Sequence, residues 1–233
     1  MSASRLQGKP LFEINNLPII CHVFNKAKET GLEAIVATED KEIMEAVLKN
    51  GGEAILTGKH KTGTDRIYEA YKKLKKKTID YVLNLQGDEP MIDVRDIINL
   101  NKLAIQHNLD IGTLAAEIKE DKILENKNVV KVVTEKKLEN NNFIKALNFS
   151  REYILKENVN IYHHIGIYCY KVSVLEKFVN LKQTKNEIEN RLEQLRALDN
   201  NIQIDVTLAN SSPIGVDTKE DFIDLKKIME YKS

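Results

Sequence analysis

The sequence predicts an α/β fold in which a mostly parallel sheet is flanked by helices. Short apolar segments typical of buried strands alternate with segments of helical apolar spacing, and the connections between them are short. Near the middle of the chain, two strand-like segments flank the polar tip 139–142, which indicates antiparallel pairing. Because neither an internal repeat nor a linker is visible, we expect a single domain over residues 1–233, with an antiparallel elaboration near 125–200.

Helix and strand signals follow one another along the whole chain. The clearest helix starts are Pro18 in a first turn, Asp40 as an N-cap, and Thr218 as an N-cap with Asp221 three residues later. The predicted helices are 18–28, 40–49, 64–75, 93–107, 187–198 and 218–231. The predicted strands are 33–38, 53–57, 79–85, 111–118, 129–134, 143–149, 161–170 and 202–208.

The composition excludes several functional classes. The 35 Lys and Arg residues balance 35 Asp and Glu residues, so we expect neither a nucleic-acid nor an anionic-membrane partner. No apolar run is long enough for a transmembrane helix, and the N-terminus lacks the apolar region of a signal peptide. Cys21 and Cys169 form neither a metal-binding pair nor a disulfide framework. These observations together predict a cytoplasmic protein.

Arginine is scarce, with 6 arginines against 29 lysines, so each remaining arginine is a candidate for bidentate binding. Arg95 and Arg191 are expected to form ordinary surface salt bridges. The other four lie in polar segments with candidate functions, and they are Arg5, Arg66, Arg151 and Arg196.

Two polar segments in the first third of the chain suit phosphate or base binding. Arg5 and Lys9 lie four residues apart around Gly8, a pattern that can wrap two cations and backbone N–H groups around phosphates. A frayed basic terminus is the alternative, and the spacing excludes a standard P-loop. Thr64 and Arg66 lie at a predicted helix N-terminus, which attracts anions or polar base edges, although Thr64 can also be a simple cap.

Two further segments carry carboxylates. Asp88 follows a predicted strand in the segment 84–90, at the strand end where α/β sheets bind ligands. A carboxylate there is placed to hold Mg²⁺ bound to substrate phosphates, whereas Glu89 can be a solvated turn residue. Asp217 precedes the last predicted helix and is either a second metal ligand or a helix cap.

The second half of the chain holds candidate substrate contacts. Arg151 ends a predicted strand and suits a carboxylate. The adjacent His163 and His164 lie on a strand and point to opposite faces, so a zinc site is rejected and one of them is expected to face the site. Glu193 and Arg196, three residues apart on a predicted helix, can form an ordinary surface pair.

Taken together, these segments resemble the 3-deoxy-D-manno-octulosonate cytidylyltransferases, the CMP-Kdo synthetases. The resemblance extends over nearly the whole chain, and the motifs keep the order they have in the family. The matching motifs are S-x-S-R-L-x-G-K-P-L at 2–11, T-G-T-[DE]-R at 62–66, Q-G-D-E-P at 86–90, N-V-V-K-V-V at 128–133, F-S-R at 149–151, H-x-G-x-Y at 164–168, L-E-Q-L-R at 192–196 and G-V-D-T-x-E-D at 215–221.

The resemblance implies a nucleotide-diphospho-sugar transferase fold and a reaction in which CTP and Kdo give CMP-Kdo and pyrophosphate for lipopolysaccharide biosynthesis. It also implies a homodimer and Mg²⁺ as cofactor. The implied catalytic residues are Arg5, Lys9, Asp88 and Asp217. Of these, Arg5 and Lys9 would bind the triphosphate, and Asp88 and Asp217 would bind Mg²⁺. The implied nucleotide pocket is completed by Thr64, Arg66 and Gln86, and the implied Kdo contacts are Arg151, His164, Tyr168, Glu193 and Gln194.

The chain also departs from the family pattern. Asn190 stands where a second Glu is usual, Cys169 replaces a usual Gly, and 152–155 lacks the usual Ile-Pro. The family opens with an apolar strand before the first motif, whereas Met1 stands inside that motif. We therefore expect the first strand to be missing here, and the natural polypeptide to be longer by about ten residues. The alternatives are a cytidylyltransferase for sialic acid or 8-amino Kdo, and a truncated, non-catalytic nucleotide-sugar-binding protein.

Overall fold

A computed structural model describes residues 8–75, 79–152, 158–212, 215–216 and 218–231. The chain divides into two compact units. The first contains the described residues of Met1–Leu74, Leu85–Ile97 and Pro213–Ser233, and the second those of Lys75–Asn84 and Ile98–Ser212. The single-domain organisation stays a prediction.

The helices and strands follow the predicted order, with two further helices, at Asp121–Glu125 and Val172–Val179, that were not predicted. After a short 3-10 helix at Lys9–Leu11, the strands are β1 (Glu13–Ile14), β2 (Leu17–Pro18), β3 (Val36–Thr38), β4 (Ala54–Leu56), β5 (Tyr81–Asn84), β6 (Ile111–Ala116), β7 (Lys131–Thr134), β8 (Ile144–Ser150), β9 (Asn160–Lys171) and β10 (Ile204–Leu208). The helices are α1 (Ile19–Glu29), α2 (Lys41–Lys49), α3 (Gly63–Leu74), α4 (Val94–Gln106), α5 (Asp121–Glu125), α6 (Val172–Val179), α7 (Lys185–Asn190), α8 (Leu195–Asp199) and α9 (Lys219–Tyr231).

The first unit contains a hairpin and a parallel strand pair. The hairpin β1–β2 was not predicted, and its two turn residues, Asn15 and Asn16, have φ of 51° and 58°. Both positive values are those that a tight hairpin turn requires. Strands β3 and β4 run parallel, with α2 between them in sequence. The predicted caps are confirmed: Asp40 accepts from the Glu42 N–H at 2.8 Å, and Thr218 and Asp221 cap α9 reciprocally.

The second unit is built on a six-stranded sheet in the order β5-β9-β6-β10-β8-β7. The predicted α/β class holds, but the sheet is mixed where a mostly parallel sheet was expected. In this sheet β6 pairs in parallel with β10, and the other pairings are antiparallel. The reason is β9, which follows the antiparallel pair β7–β8 and runs between β5 and β6 in the opposite direction. Strand–helix alternation along the sequence does not report such an insertion.

The prediction of one helix at 187–198 is wrong, because two short helices occupy this part of the chain. Helix α7 ends at Asn190, and Arg191 then adopts a left-handed conformation with φ of 53°. Helix α8 begins only at Leu195. A left-handed residue cannot continue a right-handed helix, so the chain changes direction at the start of the L-E-Q-L-R segment. Arg95 pairs with Asp93 at the surface, as predicted.

Among the described residues, no helix is both long and apolar enough to cross a membrane.

Candidate functional site

Lys9 and Asp88 form the centre of the candidate site in the first unit. The Lys9 ammonium makes an ion pair with the Asp88 carboxylate and donates to the Val216 carbonyl oxygen at 2.7 Å. The Val216 N–H donates to the Asp88 carbonyl oxygen at 3.1 Å. Three of the predicted segments, 8–11, 86–90 and 215–216, therefore meet here. Arg5 and Asp217 lie outside the described residues.

The loop that carries Asp88 packs tightly against α1. A Cβ atom added to Gly87 would lie 2.8 Å from Cδ1 of Ile20, a distance that real Cβ atoms do not show. A side chain at position 87 would therefore require the terminal methyl group of Ile20 to move. Gln86 is half-buried in the same loop.

Arg66 lies near the carboxyl ends of the parallel strands β3 and β4. Its Nη2 lies 3.7 Å from a carboxylate oxygen of Glu39, which directly follows β3. Its Nε is buried and has no hydrogen-bond partner among the described residues. The same is true of the hydroxyl of Thr57, which directly follows β4. Since buried polar atoms are normally paired, these two unpaired atoms make the strand ends a candidate site for a polar ligand.

The start of α3 differs from its prediction in one residue. The helix begins at Gly63, and the Thr62 hydroxyl accepts from the Asp65 N–H at 3.2 Å. Thr62 is therefore the capping residue, and the interpretation of Thr64 as the cap is wrong. Thr64 is buried in the first turn of the helix.

A loop contact that the sequence did not reveal holds the segment before α3. The Glu69 carboxylate on α3 accepts from the Gly58 N–H at 3.0 Å and from the Lys73 ammonium at 2.7 Å, and it contacts the His60 ring. Hydrogen bonds from Lys73, His60 and Gly58 lower the pKa of Glu69 to about 2. This carboxylate therefore stays ionised and ties the β4–α3 loop to the helix.

In the second unit, Arg151 and Lys131 fasten two loops together. Nη1 of Arg151 donates to the Asn128 carbonyl oxygen at 3.0 Å. The Lys131 ammonium donates to the carbonyl oxygens of Asn126 at 2.7 Å and Arg151 at 2.9 Å. Lys131 is only 1 % exposed, and this burial lowers its pKa. A buried ammonium needs such partners, so Lys131 fixes the backbone from which the Arg151 side chain extends.

His164 lies beside a bulge in β9. Thr113 on β6 is opposite Tyr168, whereas the next residue, Leu114, is opposite Ile165, so β9 contains two extra residues here, 166 and 167. Bulges of this kind redirect side chains and are common next to active sites. Nε2 of His164 lies 3.0 Å from the Thr113 hydroxyl oxygen. Burial, with a smaller contribution from His163, lowers the pKa of His164 to about 3.

Aromatic rings surround His164. The Phe149 ring meets it edge-on with centroids 5.0 Å apart, and the Tyr168 ring is tilted against it at 5.3 Å. The F-S-R and H-x-G-x-Y segments therefore lie next to each other, as expected for parts of one substrate pocket. His163 is half-buried and instead contacts the Ser212 hydroxyl, and the assignment of one histidine to the site and the other to solvent stays a prediction.

The interpretation of Glu193 and Arg196 as an ordinary surface pair is wrong. Arg196 is 2 % exposed and binds the buried Glu187 carboxylate through two hydrogen bonds, at 2.8 and 2.6 Å. Glu193 lies 3.8 Å from the same guanidinium and is half-buried, as is Gln194. The break at Arg191 folds α8 back so that Arg196 reaches α7. Arg196 is a structural anchor beneath the predicted contacts Glu193 and Gln194.

The comparisons with known proteins agree over nearly the whole chain. The family model described as cytidylyltransferase matches residues 1–204. A 3-deoxy-manno-octulosonate cytidylyltransferase from Bartonella tribocorum is 40 % identical, over 98 % of this chain and 95 % of that protein. The chain belongs to the 3-deoxy-manno-octulosonate cytidylyltransferase family. Membership in this family confirms the resemblance inferred from the eight motifs.

Solved structures place this cytidylyltransferase in its wider fold group. A CMP:2-keto-3-deoxy-manno-octonic acid synthetase complexed with CTP has a TM-score of 0.87 at 34 % identity, covering 99 % of this chain and 95 % of that one. An apo UDP-glucose pyrophosphorylase has a TM-score of 0.68 at 13 % identity, covering 96 % and 90 %. The second likeness concerns the fold alone, and the nucleotide-diphospho-sugar transferase fold is thereby confirmed. The individual site residues stay predictions.

Proposed function

We propose that this cytidylyltransferase transfers the CMP group of CTP to Kdo. The anomeric hydroxyl of Kdo attacks the α-phosphorus and releases its proton to the solvent. The bond from the α-phosphorus to the bridging oxygen breaks, and pyrophosphate leaves with its electron pair. The observation that carries the proposal is the meeting of Lys9, Asp88 and the Val216 backbone. Phosphoryl-type transfer needs charge neutralisation and in-line alignment more than a covalent nucleophile, and a cation beside a carboxylate suits that need.

The residues proposed to bind the nucleotide belong to the first unit. Lys9 would bind the triphosphate, together with Arg5. Arg66, with its buried unpaired Nε, would line the nucleotide pocket together with Thr64 and Gln86. The order of the β4–α3 loop supports this assignment, because Glu69 keeps the loop attached to the helix that carries Thr64 and Arg66.

Asp88 supplies a carboxylate, the type of ligand that Mg²⁺ prefers. Among the described residues, no group of three His, Cys, Asp or Glu side chains is placed to hold a metal ion alone. Mg²⁺ that binds through substrate phosphates needs only one or two protein carboxylates, and Asp88 supplies one. Asp217 would supply the second. When bound, Mg²⁺ would offset the negative charge of the triphosphate.

The residues proposed to bind the acid sugar belong to the second unit. The Arg151 guanidinium suits the carboxylate of Kdo, since a planar fork can bind both of its oxygens. The neutral His164 and the adjacent Tyr168 suit sugar hydroxyls. Glu193 and Gln194 would complete the contacts on the segment that Arg196 anchors.

The direct test is pyrophosphate release from purified protein. Product should form only when CTP, Mg²⁺ and Kdo are all present. Sialic acid and 8-amino Kdo in place of Kdo test the alternative substrates. The Asp88→Asn variant should be inactive, while Asp224→Asn, which changes an exposed carboxylate on α9, should match the wild type. No release with any acid sugar, from protein that still binds CTP, would favour the non-catalytic alternative.

We also propose that the enzyme is a homodimer. The region near 125–200 exposes large apolar side chains, including Leu147 on β8 at 44 % and Ile188 on α7 at 58 % exposure. Exposed apolar residues of this size are common at interfaces between copies. Light scattering after gel filtration should give twice the 26.6 kDa chain mass. Leu147→Lys should then shift the protein toward monomer, whereas Leu48→Lys, at an equally exposed site, should not.

A cytoplasmic location and a role in lipopolysaccharide biosynthesis complete the proposal. Cys21 and Cys169 are both free and buried, which suits a reducing compartment. Cell fractionation of the source organism tests the location, and loss of Kdo incorporation on depletion of the protein tests the role.

A further inference from the structure

The Thr113 hydroxyl is the centre of a small hydrogen-bond network inside the β9 bulge. Thr113 is 0 % exposed, so no bulk water competes for its oxygen. That oxygen lies 2.6 Å from the Ile167 carbonyl oxygen and 3.4 Å from that of Ile165. It also lies 3.0 Å from Nε2 of His164. One threonine therefore meets two bulge carbonyls and one imidazole nitrogen.

The number of protons that each group in this network can donate fixes the direction of each hydrogen bond. A threonine hydroxyl has one proton to donate, and carbonyl oxygens can only accept. At 2.6 Å, the Thr113 and Ile167 oxygens would repel unless the hydroxyl proton lay between them. The hydroxyl proton is thus committed to the carbonyl, and its lone pair faces His164. Nε2 of His164 must therefore carry a proton and donate it to Thr113.

The other nitrogen of His164 is then defined as well. The low pKa of this histidine keeps the ring neutral at physiological pH, so the ring carries only one proton. Since that proton is on Nε2, Nδ1 has a bare lone pair and accepts. Among the residues that the structure describes, Nδ1 has no hydrogen-bond partner.

We propose that Thr113 is a positioning residue that fixes His164 as the Nε2–H tautomer, so that Nδ1 accepts a hydrogen bond from a hydroxyl of the acid sugar. This inference rests on the proposed function, because it takes the sugar as the partner of His164. It adds a division of labour within the pocket. A neutral acceptor favours a hydroxyl and disfavours a carboxylate, so the sugar carboxylate is left to Arg151.

The tautomer is measured directly by ¹⁵N NMR of the histidine rings in the free protein. The chain has five histidines, and the spectrum of a His164→Asn variant identifies the signals of His164. We expect a protonated-type shift at Nε2 and an unprotonated-type shift at Nδ1. Thr113→Val keeps the shape of the side chain and removes the acceptor, so its His164 signals should move toward a mixture of tautomers. This measurement needs no substrate and does not depend on the reaction.

The kinetic test separates positioning from general stability. In Thr113→Val, KM for Kdo should rise about tenfold while KM for CTP changes little, because only the sugar loses an ordered acceptor. Thr113→Ser keeps the hydroxyl and should restore both the tautomer and KM for Kdo. The matched control is Thr134→Val, which removes another buried hydroxyl that donates to one carbonyl, that of Lys136 at 2.8 Å, and touches no imidazole.

Each outcome decides one question. A wild-type His164 with its proton on Nδ1, or a tautomer unchanged in Thr113→Val, overturns the positioning role. Equal rises in both KM values, accompanied by the same loss of stability as in Thr134→Val, show that Thr113 is merely structural. A wild-type Nε2–H tautomer in a protein that forms no CMP-Kdo would retain the network and refute the proposed function instead.

Discussion

Replacing Arg196 by methionine should destabilise the protein strongly. Arg196 and Glu187 are both buried, and two hydrogen bonds join the guanidinium to the carboxylate. Glu187 also completes the capping box of α7 with Thr184 and accepts from Gln183 at 3.0 Å. Phe178 covers the guanidinium, with 4.8 Å between Cζ and the ring centroid. Methionine fills the space beside Phe178 but leaves the Glu187 carboxylate buried without its cation.

The size of the loss follows from the uncompensated charge. Breaking a buried ion pair by removing one partner costs about 3–5 kcal/mol. That is a large part of a total folding stability of about 5–15 kcal/mol. For a chain of this size each kcal/mol lowers Tm by roughly 2–4 °C, so Arg196→Met should melt roughly 6–20 °C below the wild type. Replacing Glu187 by methionine as well should recover much of the loss, because no buried charge then remains.

Acid should reduce the difference between the two proteins. Burial alone would raise the pKa of Glu187, but the hydrogen bonds from Arg196 and Gln183 hold it below its ordinary value. The folded-state pKa is therefore lower than the unfolded one. The pair stabilises the wild type above the unfolded pKa, and this contribution is lost as pH falls through the folded pKa. In Arg196→Met the carboxyl can protonate on acidification and no longer needs a cation.

Thermal melting of the wild type, Arg196→Met and a control variant tests this reasoning. The matched control is Arg95→Met, which breaks the exposed Arg95–Asp93 pair and should cost at most about 1 kcal/mol. If Arg196→Met melts within two or so degrees of Arg95→Met, about the effect of 1 kcal/mol, the buried pair does not hold α7 and α8 together, and the reasoning fails.

Four further substitutions test the site. Asp88→Asn and Asp217→Asn should each abolish turnover with little change in Tm, since losing a neutralising charge costs several kcal/mol of transition-state stabilisation; near-normal pyrophosphate release at saturating Mg²⁺ would contradict the metal role of that residue. Arg151→Lys should raise KM for Kdo far more than KM for CTP, because lysine lacks the bidentate fork; equal rises would assign Arg151 elsewhere. Lys131→Met should lower Tm and also raise KM for Kdo, whereas the exposed Lys145→Met should change neither; a Tm loss without a KM effect would limit Lys131 to stability.

The motifs in the sequence located the candidate site better than they described its contacts. Lys9 and Asp88 were both singled out, but their pairing across 79 positions could not be, because sequence spacing carries no information on such distant contacts. The nearest acidic residue on the predicted helix was taken as the partner of Arg196. The true partner, Glu187, became available only because Arg191 breaks that helix.

The local sequence around the residues that sequence reasoning missed does not distinguish them from typical strand residues. Thr113 is a typical strand residue, and nothing local distinguishes a threonine that fills a bulge from one that faces a neighbouring strand. Lys131 did leave a signal, since a single lysine interrupts an apolar strand in N-V-V-K-V-V. Such an interruption usually marks a solvent-facing position, and only the fold shows that this lysine is buried.

The Lys9–Asp88 ion pair constrains the charge of any ligand that binds there. A ligand that carried only negative charge would take Lys9 for itself and leave Asp88 uncompensated in a half-buried position. A ligand that brought phosphates and a divalent cation together would give each member of the pair a new partner in the same event. If the nucleotide binds at this pair, as proposed, charge balance would favour its metal complex over the bare anion, and the affinity for each component would then depend on the other.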